Sequence, residues 1–269
     1  RRLIMRSYKL PGNRLRLLHP TENRGAVTID EERDYHFRYV LEDNFGNRRT
    51  YQFIVKGKRQ DIPEYKPEAN EMLYWNRTNV IQKPGMELVV PRYYVYEDVP
   101  LRTDMRGDSS HIAFDYILDA GRTPIHSYCD LSIGLRHMPV ADTTKYYIVQ
   151  KAGKWRSSMG GKYANGWIKT RVRSLGTFSV DVDTIAPQIT PIGQGGWRTS
   201  RNIRFRIKDM ESGIGSYKVY IDGKFVLFGL KKGILVIQNP EKVKKGVSHK
   251  LEVTVTDQCG NMTRKEYKF

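Results

Sequence analysis

The chain has 269 residues, of which 39% are hydrophobic and 11% aromatic, and its formal net charge is +17. This apolar content is enough to close small hydrophobic cores, and it excludes an intrinsically disordered chain. The 23 Gly and 12 Pro, with many β-branched and aromatic residues, favour strands joined by tight turns over long helices. We therefore expect an all-β protein of two or three modules.

The first predicted element is a β-hairpin. Apolar and polar residues alternate from Tyr35 to Leu41, as in a strand with one buried face. The turn Asp43-Asn-Phe-Gly-Asn47 follows and leads into a second strand, Thr50–Val55. In such a turn the Asp side chain accepts backbone hydrogen bonds, while Gly and Asn adopt left-handed conformations.

A linker is predicted at 59–69, because the prolines of Asp61-Ile-Pro-Glu-Tyr-Lys-Pro-Glu68 disfavour helix at the residues before them. Residues 70–183 are expected to form a larger β-sandwich domain, in which Asn165-Gly166 makes a tight turn. That domain is expected to end at Asp183-Thr-Ile-Ala-Pro187, because proline cannot continue a strand ladder.

Residues 184–269 predict a complete C-terminal immunoglobulin-like module. Residues 203–208 alternate Ile or Phe with Arg or Lys, as in a half-buried strand. A hairpin is expected next, with a type I′ turn at Asp222-Gly223 and a return strand at Lys224–Phe228. Several short strands within such a length are typical of a small sandwich.

The turn at 43–47 and the strand that follows it are repeated at 257–269. By this register, residues 1–58 are an incomplete immunoglobulin-like module, which is either trimmed or continued upstream of residue 1. The predicted fold is therefore all-β, with tandem immunoglobulin-like β-sandwich modules.

The basic residues are scattered along the chain, and most are expected to fill solvent-facing strand positions, as Arg204, Arg206 and Lys208 do. The second interpretation of the positive charge is attraction to an anionic surface such as a bacterial envelope, and binding to nucleic acid is the least favoured. No run of about 20 apolar residues is present, so no transmembrane segment is expected.

No complete catalytic set is found. His126 with Asp130, and His111 with Asp115, show the His-x-x-x-Asp spacing of a zinc peptidase, but the His-x-His pair such a site also needs is absent. No Gly-x-Ser-x-Gly motif occurs. Cys129 and Cys259 are expected to be buried structural thiols and do not indicate a disulfide framework.

Three weaker patterns suggest possible binding sites. Arg106-Gly107-Asp108 spells an adhesion tripeptide. Carboxylates near the second domain boundary offer oxygen ligands for calcium but lack the order of an EF-hand: Asp181, Asp183, Asp209 and Glu211. Two tyrosine groups could stack on sugar rings, although core packing is favoured: Tyr93, Tyr94 and Tyr96, and Tyr146 with Tyr147. The prediction is that no residue is catalytic, cofactor-binding or metal-binding.

Several segments together resemble a known family. They are Gly12-Asn-Arg-Leu15, Thr28–Tyr35, Asp183–Pro187, Asp209–Ile214, Ile221–Phe228, His249–Leu251 and Asp257–Asn261. They are similar to the region that follows the catalytic domain in lysostaphin-type (LytM-like) zinc metallopeptidases of Bacteroides-like bacteria. The resemblance implies an exported protein of the periplasm or cell surface of a Gram-negative bacterium. It also implies an upstream catalytic domain that holds zinc, so no catalytic residue and no cofactor is assigned to this segment.

The leading hypothesis is a non-catalytic accessory segment of an exported cell-wall (peptidoglycan) metallopeptidase, which positions or regulates the absent catalytic domain. Its expected partners are that upstream domain and peptidoglycan or another anionic envelope polymer, and not nucleic acid. The alternative is a stand-alone cell-surface adhesion or glycan-binding protein.

Overall fold

The computed structural model describes residues 8–13, 16, 19, 22–61, 63, 68–108, 110–121 and 123–269. These residues form antiparallel sheets joined by turns and very short helices, so the predicted all-β sandwich-type fold is confirmed. The chain divides into two compact units, unit 1 (Arg1–Glu68) and unit 2 (Ala69–Phe269). Residues 62 and 64–67 of the predicted linker lie outside the described residues.

Unit 1 contains one hairpin in its described part. A 3-10 turn at Glu22–Gly25 precedes β1 (Asp34–Glu42), which pairs with β2 (Arg48–Lys56). The register is continuous from the pair Asp34–Lys56 to the pair Glu42–Arg48. One face of the ribbon therefore carries Tyr35, Phe37, Tyr39 and Leu41 of β1 with Tyr51, Phe53 and Val55 of β2.

The first sandwich of unit 2 comprises β3 to β13 and the 3-10 turn Thr143–Lys145. Its strands are β3 (Glu71–Leu73), β4 (Asn79–Lys83), β5 (Met86–Val90), β6 (Val99–Arg106), β7 (Asp115–Asp119), β8 (Cys129–Gly134), β9 (Tyr146–Ala152), β10 (Trp155–Ser158), β11 (Lys162–Ala164), β12 (Trp167–Val172) and β13 (Gly176–Val182). One sheet has the order β10-β9-β13-β7-β6-β3 and the other has the order β11-β12-β8-β5-β4. Their inner faces enclose a core that includes Leu88, Leu101, Leu131 and Phe178, each 0% exposed.

The second sandwich comprises β14 to β21. Its strands are β14 (Gln188–Ile192), β15 (Arg204–Lys208), β16 (Ile214–Ile221), β17 (Lys224–Phe225), β18 (Phe228–Lys231), β19 (Ile234–Ile237), β20 (Lys250–Asp257) and β21 (Met262–Lys268). The first sheet has the order β14-β15-β19-β18 and the second has the order β17-β16-β20-β21. The helix α1 (Trp197–Ser200) and 3-10 turns at Gln194–Gly196 and Pro240–Lys242 connect strands.

Trp197 organises the core of the second sandwich. Its side chain is fully buried, and its ring lies 5.0 Å from that of Phe205 and 5.9 Å from that of Tyr267. The indole nitrogen donates a hydrogen bond to the carbonyl oxygen of Ile192 at 3.0 Å, so burial leaves this polar group satisfied. Phe269 packs edge-on against the same ring at 5.8 Å. The two sheets thus meet around one aromatic cluster.

The type I′ turn at Asp222-Gly223 is confirmed by positive φ angles of 51° and 76°. The return strand predicted at Lys224–Phe228 is wrong, because β17 ends at Phe225. Phe228 instead begins β18 in the opposite sheet, and its ring is buried in the core. The chain therefore crosses from one sheet to the other after Phe225. This crossing buries the Phe228 ring between the sheets.

Candidate functional site

Three carboxylates meet where the two sandwiches of unit 2 join. Asp183 follows β13 of the first sandwich, whereas Asp209 follows β15 and Asp257 ends β20 of the second. One oxygen from each lies within 4.8 Å of the others, and within the described ranges this is the one such group of three or more His, Cys, Asp or Glu side chains. We call this region the junction.

Asp183 bonds the first sandwich to a loop of the second. Its side chain is 1% exposed, and one carboxylate oxygen accepts a hydrogen bond from the Ile185 amide at 2.9 Å. The other oxygen accepts hydrogen bonds from the backbone amide of Ser212 at 3.0 Å and from its hydroxyl at 2.5 Å. Charge-assisted bonds of this kind satisfy a carboxylate that is removed from water.

Asp257 and Asn261 close the second side of the junction. One oxygen of Asp257 accepts hydrogen bonds from the amides of Cys259 and Asn261, both at 2.8 Å. The Asn261 side-chain amide donates to the other oxygen at 2.8 Å and to the carbonyl oxygen of Asp183 at 3.0 Å. Burial raises the pKa of Asp257, and the nearby Asp183 charge adds to the rise although the Asn261 bonds oppose it.

Side chains of β9 extend the junction. Tyr147 and Val149 form a small buried cluster with Cys259. The Tyr147 hydroxyl donates to Glu211 at 3.3 Å, and burial followed by the charge of Asp181 raises the tyrosine pKa. The backbone around Cys259 is also contacted by Lys145. Apolar contact and hydrogen bonds together therefore join the two sandwiches.

The junction carboxylates offer hard oxygen donors, but backbone amides already bond to them. Asp209, for example, accepts hydrogen bonds from the amides of Glu211 and Gly213 at 3.0 and 2.7 Å. Of the four carboxylates singled out in the sequence, only Asp183 and Asp209 belong to the cluster, because Asp181 pairs with Arg156 and Glu211 accepts from a tyrosine. The arrangement links the two sandwiches of unit 2 to each other.

Sequence reasoning missed Asp257 as a junction residue. Its Asp-x-x-Gly-Asn turn was recognised, but nothing local to that turn shows that Asp183, far away in the chain, packs against it. The sequence did give one signal for this contact. The boundary segment Asp183–Pro187 begins with Asp183, the residue that the turn at Asp257–Asn261 contacts.

The two His-x-x-x-Asp pairs have different partners. The Nδ1 atom of His126 lies 2.6 Å from the Tyr96 hydroxyl oxygen, and Asp130 lies 3.8 Å from Arg171. His111 contacts Asp108 at 3.0 Å, and Asp115 pairs with Lys151 at 2.5 Å. In the part of the chain that the structure describes, neither pair joins a group of three possible metal ligands.

Both cysteines are free and buried. Burial raises the pKa of each thiol to about 11, with smaller contributions from neighbouring carboxylates, so neither forms a thiolate readily at neutral pH.

The Arg-Gly-Asp tripeptide lies at the end of β6. The Asp108 carboxylate accepts hydrogen bonds from the Ser110 hydroxyl and amide, and these, with His111, lower its pKa to about 2. Its carbonyl oxygen accepts a hydrogen bond from Arg136. Local contacts therefore already use this carboxylate, while Ser109 lies outside the described residues.

The tyrosines proposed as platforms do not form one surface. Tyr146 and Tyr147 are 1% and 2% exposed, so their rings are not available to a sugar. Tyr94 packs partly buried against the core of the first sandwich. An aromatic ring that does face solvent is Trp155 on β10, which is 80% exposed.

A cationic face covers the outer side of the sheet β14-β15-β19-β18. We define it by Arg204, Arg206 and Lys208 of β15 with Lys231 of β18, all exposed. The strand register places uncharged residues beside them: Gln188, Thr190, Ile192, Gly229, Ile234 and Val236. The face therefore presents cations without a carboxylate among its register neighbours, and no ion pair to these cations is seen in the described parts of the chain.

The outer side of the other sheet, β16-β20-β21, differs. Lys250 pairs with Glu266 at 3.0 Å, and Arg264 pairs with Glu252 and lies 3.8 Å from Glu266. We call this side the paired face. The positive charge there is largely compensated by neighbouring carboxylates.

Residues 70–183 match the model of the Zu5-like domain. The matched range contains the strands β3 to β13, which form the first sandwich of unit 2. No curated protein matches the chain. None of the helices in the described ranges has the length and apolar character needed to cross a membrane. The comparisons thus show similarity to a Zu5-like domain in the first sandwich.

Proposed function

We propose that this chain is a non-catalytic accessory segment of an exported cell-wall (peptidoglycan) metallopeptidase, in the periplasm or on the surface of a Gram-negative bacterium. It positions or regulates an upstream catalytic domain, which holds the zinc, and contacts an anionic envelope polymer. The family resemblance of the sequence supports the peptidase association. The observation that carries the polymer contact is the cationic face.

The cationic face suits a linear polyanion. Alternate residues of a strand are separated by roughly 6.6 Å, so Arg204, Arg206 and Lys208 form a row of evenly spaced charges. The peptide stems of peptidoglycan carry carboxylates that such a row attracts. Because the four cations are exposed, the attraction is long-ranged but screened by salt within about 10 Å at 0.1 M. Binding should therefore be strong at low salt and weak at high salt.

The junction supports a positioning role. Hydrogen bonds from Ser212 and Asn261 to Asp183 join the second sandwich to the first. A domain fixed in this way holds the cationic face at a constant orientation to the rest of unit 2. A polymer bound to that face would then be held in a defined place.

The test is retention on purified peptidoglycan sacculi over a series of salt concentrations. The triple variant Arg204→Gln/Arg206→Gln/Lys208→Gln removes the main row of the cationic face. The matched control, Lys250→Gln/Arg264→Gln/Lys268→Gln, removes the same charge from the paired face, where Glu252 and Glu266 lie. We expect the first variant to lose about tenfold or more of its retention at low salt and the control to lose much less.

No retention of the wild-type chain at low salt would contradict the proposal. Equal losses in the two variants would show that net charge, and not the cationic face, attracts the polymer.

One observation favours the alternative of a stand-alone adhesion or glycan-binding protein. The Trp155 ring is 80% exposed at the edge of the first sandwich, and an exposed indole can stack on a sugar ring. Salt-independent binding to neutral oligosaccharides on a glycan array, abolished by Trp155→Ala and retained in Phe225→Ala, would support this alternative. Phe225 is a suitable control because its ring is also exposed, by 60%.

A further inference from the structure

A shallow pocket opens on the outer side of the sheet β11-β12-β8-β5-β4 of the first sandwich. Its volume is about 420 Å³, which is within the range of small-molecule sites. We call it the β12 pocket, and six residues line it: Tyr128, Gly161, Lys162, Lys169, Thr170 and Arg171. None of these six residues, all of which the structure describes, is acidic. The β12 pocket therefore offers positive charge to a ligand without a carboxylate of its own.

Two lysines of the β12 pocket lie directly opposite each other. Lys162 of β11 is the register partner of Lys169 of β12, so their Cβ atoms are about 4.5–5.5 Å apart. Like charges in this position destabilise a sheet. Both residues are exposed, and neither side chain forms an ion pair with any residue that the structure describes. An anion placed between the two ammonium groups would relieve their repulsion.

The strand on the other side of β12 does not supply that anion. The register neighbour of Lys169 in β8 is Ser132, which is uncharged, and Glu87 of β5 lies one strand further away. Asp130 lies 3.8 Å from Arg171, so its charge compensates the arginine. Of the three cations that line the pocket, the two lysines are therefore the ones without a compensating carboxylate.

A pocket of similar size on the second sandwich lies beside a lysine pair that is compensated. Its volume is about 370 Å³, and four residues line it: Tyr220, Gly223, Lys250 and Glu252. Lys250 is the register partner of Lys268, but Glu266 lies 3.0 Å from Lys250. Glu252 also contributes a carboxylate to the pocket itself. This second pocket has a tyrosine and a lysine but offers an anion no uncompensated charge.

Tyr128 gives the β12 pocket an apolar wall. The residue is 50% exposed, and the guanidinium carbon of Arg171 lies 5.5 Å from the centre of its ring. An exposed aromatic ring can pack against the C–H groups of a sugar ring. Sites for nucleic-acid strands, in contrast, use several aromatic rings on which successive bases stack. Tyr128 is the one aromatic residue among the described residues that line this pocket, so the pocket suits a single sugar unit better than a strand of bases.

We propose that the β12 pocket binds an acidic saccharide, namely a sugar that bears a carboxylate or a sulfate group. Lys162 and Lys169 donate charge-assisted hydrogen bonds to that group, and the sugar ring packs against Tyr128. Carboxylate and sulfate groups both have enough oxygens to accept from two lysines, so the pocket recognises chemistry that they share. The site lies on the first sandwich, whereas the cationic face lies on the second, and it does not depend on any association with a peptidase. It is also separate from Trp155, which is on the opposite sheet.

Isothermal titration calorimetry of the 269-residue chain at low salt tests this proposal with three tetrasaccharides. Tetragalacturonate carries carboxylates, a κ-carrageenan tetrasaccharide carries sulfates, and maltotetraose is neutral. We expect at least one of the acidic tetrasaccharides to bind and maltotetraose not to bind. The acidic tetrasaccharide that binds more tightly identifies the preferred anionic group.

Matched variants separate the β12 pocket from net charge. Lys162→Gln/Lys169→Gln removes the uncompensated lysine pair of the pocket. Lys250→Gln/Lys268→Gln removes the same charge from the compensated pair. We expect the first variant to weaken acidic binding by about tenfold or more, because it loses two charge-assisted hydrogen bonds, and the second by less than about twofold. Tyr128→Leu should weaken the same binding by about threefold or more.

If neither acidic tetrasaccharide binds at low salt, or if maltotetraose binds as well as they do, the proposal is overturned. Equal losses in the two lysine variants would also overturn it, because net charge would then account for the binding. Tighter binding of AMP, lost in Tyr128→Leu, would assign the pocket to a different class of ligand. All the substituted residues are exposed, and thermal unfolding checks that each variant is folded. Sacculus retention is measured with variants of the cationic face, so either proposal can fail alone.

Discussion

Asn261→Ala should destabilise unit 2 much more than Asn47→Ala destabilises the hairpin of unit 1, although both residues close the same turn. The Asn47 side chain donates one hydrogen bond, to Asp43 at 2.8 Å, in an exposed turn. The Asn261 side chain donates to Asp257 at 2.8 Å and to the carbonyl oxygen of Asp183 at 3.0 Å. The substitutions therefore remove different numbers of bonds from different environments.

The magnitude follows from burial. Asp183 and Asp257 are 1% and 4% exposed, so water does not easily replace the lost donor. A buried acceptor left without a partner costs about 1–3 kcal/mol, which gives roughly 2–4 kcal/mol for the pair after partial relaxation. In the exposed turn water replaces the amide, and the cost is about 0.5–1 kcal/mol. For a domain the size of unit 2, roughly 2–4 °C of Tm is lost per kcal/mol.

Thermal unfolding followed by tryptophan fluorescence checks this prediction, because all four tryptophans lie in unit 2. We expect Asn261→Ala to lower the Tm of unit 2 by about 5–15 °C and Asn47→Ala to leave it nearly unchanged. Calorimetry reads the hairpin transition as well. A Tm loss of less than about 2 °C for Asn261→Ala would show that the hydrogen bonds of Asn261 do not hold the junction together.

Three further predictions concern unit 2. One ring nitrogen of His249 lies 2.6 Å from an oxygen of Asp222, and the other lies 2.8 Å from the carbonyl oxygen of Lys244. Burial lowers the pKa of His249, but these two contacts outweigh burial and raise the pKa above 6.5. The stabilisation should therefore be complete below about pH 6.5 and be lost as pH rises through the folded pKa, and His249→Gln should flatten the unfolding free energy over that window in a urea titration series. Gly215→Ala should cost about 1–3 kcal/mol in urea unfolding, because a Cβ there would overlap the carbonyl oxygen of Asp257 beside a β-bulge; a neutral result would show that the bulge adapts. Cys129 should react with a thiol reagent only on unfolding, and rapid labelling of the folded Cys259→Ser variant would contradict its burial.

Local chemistry was sufficient for the fold class and for most of the turn geometry, although the left-handed conformation predicted for Asn47 is wrong, because only the glycine of that turn, Gly46, has a positive φ. The tight turns at Asn165-Gly166 and Asp222-Gly223 have the positive φ angles expected, because these residues tolerate them within a few bonds of chain. The alternation of residues 203–208 also predicted which side chains of β15 are buried. The prediction of one strand at Lys224–Phe228 was wrong. The hairpin pattern favours a continuous strand there, but Phe228 is buried from the opposite sheet and so begins a new strand.

Neighbouring residues in the chain were enough to predict the β-rich fold, the repeated Asp-x-x-Gly-Asn turn and the charged residues of each strand. The meeting of Asp183, Asp209 and Asp257 depends on the folded chain, because the three residues come from separate strands. The absence of a carboxylate among the neighbours of Arg206 across the sheet depends on it too. Strand order and register bring distant segments together, and no local pattern encodes which segments those are.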